Sequence, residues 1–318
     1  MKYDVIIIGG GPIGLACAIE AQKNQLNALI LEKGALTNSI YNYPLYMTFF
    51  STAERLTIND IPFTNISPKP GRQEALEYYR SIAQYYHVNI QLYEEVLSVD
   101  KPADFVVTTT QNTYEASNVI IATGFYDKPH LLNVKGEEYP LVNHYYKEAH
   151  PYAMQKVVVI GANNSAVDAA LECYRKGADV TMLIRGSAFT SSLKYWVKPD
   201  IENRIKEGSV KAYFNSTIQE ITPRSIIFTQ GEERIELTTD HILAMTGYEP
   251  NFEFLTRAGI TLGDDAYRTP TYHPETMETN VKGLYLAGVV CGGLKTNIWF
   301  IENSRVHATQ IMQHIQNK

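Results

Sequence analysis

The sequence predicts an α/β protein built on two parallel-sheet units, and three observations carry that expectation. The chain has 318 residues, about twice the usual length of one domain, so two separate cores are the default. Near its start an unbroken β-branched run, a glycine-rich turn, a helical stretch and a second apolar run follow one another. The same succession returns about 150 residues later. Each succession is a βαβ unit, whose strands are covered on both faces and therefore read as continuous apolar runs.

Residues 3–8 (YDVIII) form the first expected strand, and a helix follows from Pro12. Residues 28–31 form a second strand that ends on Glu32. An amphipathic helix is expected over 73–86, with strand-like stretches at 105–109 and 118–123. The second unit comprises a strand at 156–160, a helix over 164–176 and a strand at 180–184 that ends on Arg185. A strand at 283–288 then precedes a tail helix expected over 297–313.

Composition narrows the function classes. Hydrophobic residues make up 45% and charged residues 19%, the balance of an ordinary globular chain. A formal net charge of −6 without any Lys/Arg block argues against a nucleic-acid partner, because phosphate neutralisation needs a basic face. Cys17, Cys173 and Cys291 are odd in number and far apart, so no disulfide framework and no Cys-x-x-Cys pair is available. That usage fits a reducing compartment. The apolar opening is broken by glycines and Pro12 well short of the roughly 18 apolar residues that span a bilayer. A cytoplasmic location, no membrane partner and no metal site are expected.

The first turn reads Gly9-x-Gly11-x-x-Gly14, with Glu32 placed 23 residues after Gly9. The first glycine makes the tight turn, the second lets backbone approach a pyrophosphate, and the third lets helix pack on strand. The helix N-terminus then faces phosphate, and Glu32 can accept from ribose hydroxyls. The second turn is degenerate, Gly161-x-Asn163-x-x-Ala166. Asn tolerates left-handed backbone and Ala is small enough for close contact. Arg185 stands 24 residues after Gly161, where an NAD-specific site wants an acid. A guanidinium there suits the 2′-phosphate of NADPH; its plain alternative is a solvated arginine at a strand end.

Two stretches, 120–124 (IIATG) and 244–250 (AMTGYEP), share a strand-then-Thr-Gly form and fall where a chain would cross between domains. With 279–288 (TNVKGLYLAG) they resemble the marks of flavoproteins with two dinucleotide-binding domains. That resemblance implies two Rossmann-like domains, with an NADPH domain (124–247) inserted in a discontinuous FAD domain (1–123 and 248–318). Further blocks make the likeness more specific: 32–34 (EKG), 39–44 (SIYNYP), 48–51 (TFFS), 144–152 (HYYKEAHPY), 164–168 (NSAVD), 245–248 (MTGY), 278–280 (ETN) and 300–303 (FIEN). Together they are similar to the signature set of the YpdA family, FAD- and NADPH-dependent reductases associated with bacillithiol disulfide. The cofactor-holding positions so implied are Gly9, Gly11, Pro12, Gly14, Glu32, Lys33, Tyr43, Thr48, Phe49, Val96, Ala122, Thr123, Gly124, Gly161, Asn163, Asn164, Ser165, Arg185, Gly247, Tyr248, Gly288, Val289 and Asn297. A homodimer is usual among the resembling proteins.

Two neighbouring groups fit less well. Low-molecular-weight thioredoxin reductases place a Cys-x-x-Cys pair in the NADPH domain, where this chain has only Cys173. The monooxygenase linker motif, aligned on His144, meets Glu138, Pro140 and Glu148 at its other three positions and fails at each.

Departures from the resembling family concentrate at the flavin face. Ile13 stands where bacillithiol-type members carry a cysteine, whose thiolate a helix N-terminus would favour. Residues 45–47 (LYM) replace Thr-His-Gln, and 294–296 (LKT) replace an asparagine-rich stretch. Cys17, one turn below Ile13, reads as a packed and inert residue, whereas Cys291 is the outside candidate for a redox thiol. Thr48 is expected near the flavin N5 region, and Asn297 is expected to open the last helix toward N1/O2. Val289 replaces the usual Asp of the C-terminal motif. The expected activity is hydride transfer from NADPH to FAD and then to a small disulfide or similar acceptor entering near Ile13, Tyr46 and Lys295. The alternatives are an NADPH-dependent ferredoxin or flavodoxin reductase, which takes a small redox protein as partner, and a low-turnover flavin redox sensor.

Overall fold

A computed structural model describes residues 2–318 and divides the chain into two compact units. Unit 1 comprises Met1–Asn42, Tyr46–Lys128 and Tyr248–Lys318; unit 2 comprises Tyr43–Leu45 and Pro129–Gly247. The divide falls at Lys128/Pro129 and Gly247/Tyr248, so residues 124–128 pack with unit 1 and Tyr43–Leu45 with unit 2.

In unit 1, strand β1 (Lys2–Ile8) leads into helix α1 (Pro12–Lys23) and then strand β2 (Ala28–Leu31). β1 lies parallel to β2 on one side and to β3 (Thr113–Ile121) on the other, with Ile8 level with both Leu31 and Ile121. Val5, Ile6, Ile7 and Ile8 are all buried, as a strand covered on both faces requires. β3 runs further toward its N-terminus than its apolar core suggests, because the antiparallel strand Phe105–Thr109 pairs with its first residues. Strand Leu284–Leu286 lies parallel to the other end of β3.

Unit 2 repeats this arrangement. Strand β4 (Lys156–Ile160), helix α2 (Asn164–Arg175) and strand β5 (Asp179–Leu183) form its βαβ unit. β4 is central, parallel to β5 on one side and to β6 (His241–Ala244) on the other. A separate antiparallel sheet of Ser216–Ile221, Ser225–Gln230 and Glu233–Thr238 packs through Ile226 and Phe228 against Val158 and Ile160.

Most predicted elements appear with their ends shifted by a residue or two; the amphipathic helix, for example, spans Arg72–Tyr85. The tail helix is a correction. It does not open at Asn297, which lies in a turn; the helical segments are Ile301–Ser304 and Val306–Gln316. Asn303 Oδ1 accepts the Phe300 N–H at 2.7 Å, and Ser304 Oγ donates to the Phe300 carbonyl, so side-chain bonds set the start at Ile301 rather than Asn297. Among the described residues no helix is long and apolar enough to cross a membrane.

Packing is very tight at Gly14, where an added Cβ would stand 1.9 Å from the Gly9 carbonyl oxygen. Gly14→Ala is therefore expected to lower stability by about 3 kcal/mol or more in urea unfolding, since backbone cannot yield as a flexible side chain does. A loss below about 1 kcal/mol would show that α1 can withdraw from the turn.

Candidate functional site

Both units place their glycine turn by the same contact. In unit 1 the Ala122 N–H donates to the Ile8 carbonyl at 2.8 Å, and a Cβ on Gly9 would meet the Ala122 carbonyl oxygen at 2.6 Å. In unit 2 the Met245 N–H donates to the Ile160 carbonyl at 2.9 Å, and a Cβ on Gly161 would meet the Met245 oxygen at 2.6 Å. Gly9 and Gly161 have φ of 108° and 135°, which suits only glycine. The two Thr-Gly stretches, at Thr123–Gly124 and Thr246–Gly247, thus begin beside the two fingerprints at the carboxyl ends of neighbouring strands. That is where open α/β sheets take ligands.

The first turn has the shape of a phosphate cradle. Space around Gly11 is open, with no atom within 4 Å of an added Cβ, and the first turn of α1 has no side-chain cap. Its amides are therefore available to an anion. Beneath the turn lies Glu32, only 6% exposed. Its carboxylate accepts the Gly10 N–H at 2.7 Å and the Gly34 N–H at 2.9 Å. Burial pushes its pKa up, and the two amide bonds oppose that shift. Glu32 thus braces the turn besides carrying lone pairs for a ribose. Lys33 is ion-paired to Asp127 at 2.9 Å.

The C-terminal motif closes onto this turn. Gly288 (φ 86°) packs against Ile13, whose side-chain atoms lie 3.3–3.5 Å from a Cβ built there. Val289 Cγ2 is 3.8 Å from a Cβ built on Gly124. His307 Nδ1 accepts the Gly288 N–H at 3.1 Å, so the proton of the neutral ring sits on Nε2. Burial holds this imidazole down at about 4. No sequence pattern marks His307 for this role.

The structure thus brings Gly9, Gly11, Pro12, Ile13, Gly14, Ala122, Thr123, Gly124, Gly288 and Val289 to one edge of the unit 1 sheet. Other predicted residues are held by separate contacts. Thr48 is exposed and bridges Gly71, while Phe49 is buried and donates its N–H to the Pro70 carbonyl at 2.9 Å. Val96 opens the strand Val96–Asp100 opposite Thr109. Tyr43 belongs to unit 2, where Leu45 N–H donates to the Lys147 carbonyl. Tyr248 belongs to unit 1, its ring 4.4 Å from that of Tyr126. Asn297, in its turn, lies outside any helix N-terminus. Tyr46 is 73% exposed, and the Lys295 ammonium lies over the Tyr267 ring.

In unit 2 the Asn163 side chain accepts the Asn164 N–H at 2.8 Å and also takes bonds from Thr190 and Ser192 hydroxyls. Asn164 holds the same loop through the Lys194 N–H (2.8 Å), and Lys194 pairs with Asp168 at 2.9 Å. Ser165 is exposed beside them. Arg185 is exposed at the end of the strand and has no ion-pair partner among the described residues. The sequence signal for this polar loop is its hydroxyl-rich run at 190–192 (TSS), which stood apart from any motif.

All three cysteines are buried. Burial pushes the Cys17 and Cys173 thiols up to about 12 and Cys291 higher still. Burial thus disfavours the thiolate form of each, which weighs against Cys291 as a redox thiol.

A fold of two glycine-turn units with this cradle defines a nucleotide-dependent redox protein, and the chain belongs to the pyridine nucleotide-disulphide oxidoreductase family, whose model matches residues 6–288. It is an oxidoreductase of the YpdA type, resembling thioredoxin reductases in fold. It is 43% identical to bacilliredoxin reductase Bdr of Bacillus subtilis over 321 residues, covering 100% of this chain and 99% of that one. The solved bacillithiol disulfide reductase Bdr (YpdA) of Staphylococcus aureus matches with a TM-score of 0.97 at 41% identity, over 100% of this chain and 99% of that one. A ferredoxin–NADP reductase of Ignicoccus hospitalis is 27% identical over 90% of this chain and 89% of its own length.

The buried His307 makes stability depend on pH. Its folded pKa is about 4 against an ordinary 6.5, so between these values the unfolded chain binds the extra proton. Its contribution is complete above about pH 6.5 and falls by up to about 3 kcal/mol as pH drops toward 4. Urea unfolding across this range should show a shallower pH slope in His307→Gln; an unchanged slope would assign the dependence to other groups.

Proposed function

We propose that this chain is an FAD-dependent NADPH oxidoreductase that reduces a small disulfide without a dithiol of its own. The open face at Gly11, above a buried and amide-braced Glu32, carries the reading. It fits a dinucleotide pyrophosphate approaching backbone, which a side chain at Gly11 would obstruct. Unit 1 (1–123 with 248–318 in the sequence reading) then holds FAD and unit 2 holds NADPH. When bound, FAD relays two electrons from NADPH to the acceptor.

The chain's own groups do the placing. The first-turn amides of α1 take the FAD pyrophosphate, and Glu32 accepts from the ribose. Ile13 and Gly288, packed together, form the apolar wall of the flavin site, while Val289 and Gly124 border it. His307 keeps the Gly288 amide turned inward. In unit 2, Ser165 and Asn164 meet the NADPH pyrophosphate, and Arg185 takes the 2′-phosphate through its fork of donors.

The named activity of the Staphylococcus relative points to a bacillithiol-type disulfide as acceptor, and that of the Bacillus subtilis relative to a bacilliredoxin. Ile13, a hydrocarbon, and three buried thiols favour direct transfer to the acceptor rather than a relay through protein sulfur. The ferredoxin–NADP reductase relative favours a second reading, in which a small redox protein takes the electrons. A homodimer and a cytoplasmic location complete the proposal.

Anaerobic mixing with NADPH should bleach the bound flavin rapidly, and turnover with small disulfides should exceed turnover with ferredoxin or flavodoxin. Negligible bleaching would leave a redox sensor; ferredoxin turnover alone would support the second reading. Arg185→Glu should cut the preference for NADPH over NADH at least tenfold, the loss of one charge-assisted contact; a retained preference would remove that arginine from the coenzyme site. Replacing Cys17 and Cys291 together by alanine should leave disulfide turnover within about twofold per folded molecule. Complete loss of turnover in well-folded protein would mean that one of these thiols takes part.

A further inference from the structure

A cavity in unit 1 is lined by none of the glycine-turn residues. It measures about 420 Å³ and is lined by Lys128, Glu249, Phe252, Glu253, Thr256, Arg257 and Arg268. That is within the range of small-molecule pockets. Three of these side chains are cationic and two anionic. Lys128 faces Glu253 at 3.8 Å. Arg257 and Arg268 make no ion pair among the described residues, and with Glu249 also in the lining the three cations face two carboxylates, which leaves the cavity net positive.

Arg268 is also held in place at a backbone cost. Its φ is 49°, in the left-handed region that a non-glycine residue adopts only under strain. Asp265 makes the turn that imposes it: its carboxylate accepts the Tyr267 N–H at 2.8 Å and the Thr269 N–H at 3.2 Å, and its carbonyl accepts the Arg268 N–H at 3.0 Å. The far side is pinned by the Leu294 N–H, which donates to the Tyr267 carbonyl at 2.8 Å. The guanidinium carbon then lies 4.3 Å from the centroid of Phe252, a ring only 4% exposed. A planar fork stacked on a fixed ring loses little further freedom when it binds, which is how arginine favours planar acids.

We infer that this cavity is a binding site for a small anion carrying a carboxylate or phosphate group, held between Arg257 and the stacked Arg268. Phosphate and carboxylate share the recognition chemistry, two parallel N–H donors on two oxygens. The turn that carries Arg268 also carries Tyr267, whose ring lies 5.4 Å from the Lys295 ammonium. Anion binding in this cavity does not depend on a flavin in unit 1.

Titration calorimetry on the full-length holoprotein, with inorganic phosphate in one arm and succinate in the other, tests it. One saturable anion per chain is expected in at least one arm, and the arm identifies the acid. Arg257→Gln and Arg268→Asn should each weaken that binding roughly tenfold or more, the loss of one charge-assisted contact. Asn tolerates the left-handed backbone, so the Arg268 variant is expected to stay folded, which circular dichroism checks. No saturable heat with either anion overturns the inference. So does binding unchanged when Arg257→Gln and Arg268→Asn are combined, which would move the anion to the glycine turns.

Discussion

Everything at the proposed site depends on one close contact, made twice: a strand-end carbonyl pressed against the first glycine of a βαβ turn. Ala122 meets Gly9, and Met245 meets Gly161, each at a distance that no side chain could share. This contact ties the central strand of each sheet to its neighbour at their carboxyl ends. It also aims each following helix so that its first amides face outward beside the crossing. The cradle at Gly11 is open because Gly9 and Gly14 around it are closed by backbone.

The second turn departs from the first in a way its residues explain. Where Gly11 leaves space, Asn163 fills it with a side chain that caps the next amide and gathers Thr190 and Ser192. The surface proposed to face phosphate in unit 2 is therefore built of side-chain hydroxyls and amides, whereas that proposed in unit 1 is bare backbone. An exposed Arg185 at the adjoining strand end adds the charge that a phosphorylated ribose wants.

The proposed flavin side is defined by what it lacks. Ile13 packs on Gly288, the cysteines lie in the core, and burial keeps their thiols protonated. His307 reaches the same glycine from the last helix and holds its amide with a neutral ring. A hydrocarbon wall and an uncharged anchor set a site in which charge is handled by backbone and by bound groups.

Local pattern by itself determined the two βαβ units, the glycine turns with their acidic or basic strand ends, and the family, because strand runs, helical spacing and turn glycines are properties of adjacent residues. The lack of any dithiol was equally plain from three scattered cysteines. Tertiary structure decided the rest. The last helix starts at Ile301 rather than Asn297 because Asn303 and Ser304 bond back to Phe300, a choice that helical periodicity does not encode. Tyr43 packs with unit 2, His307 anchors Gly288, and Arg257 and Arg268 front one cavity. Long-range partners are set by which faces the folded sheets and helices bury together, and no short window of sequence records that pairing.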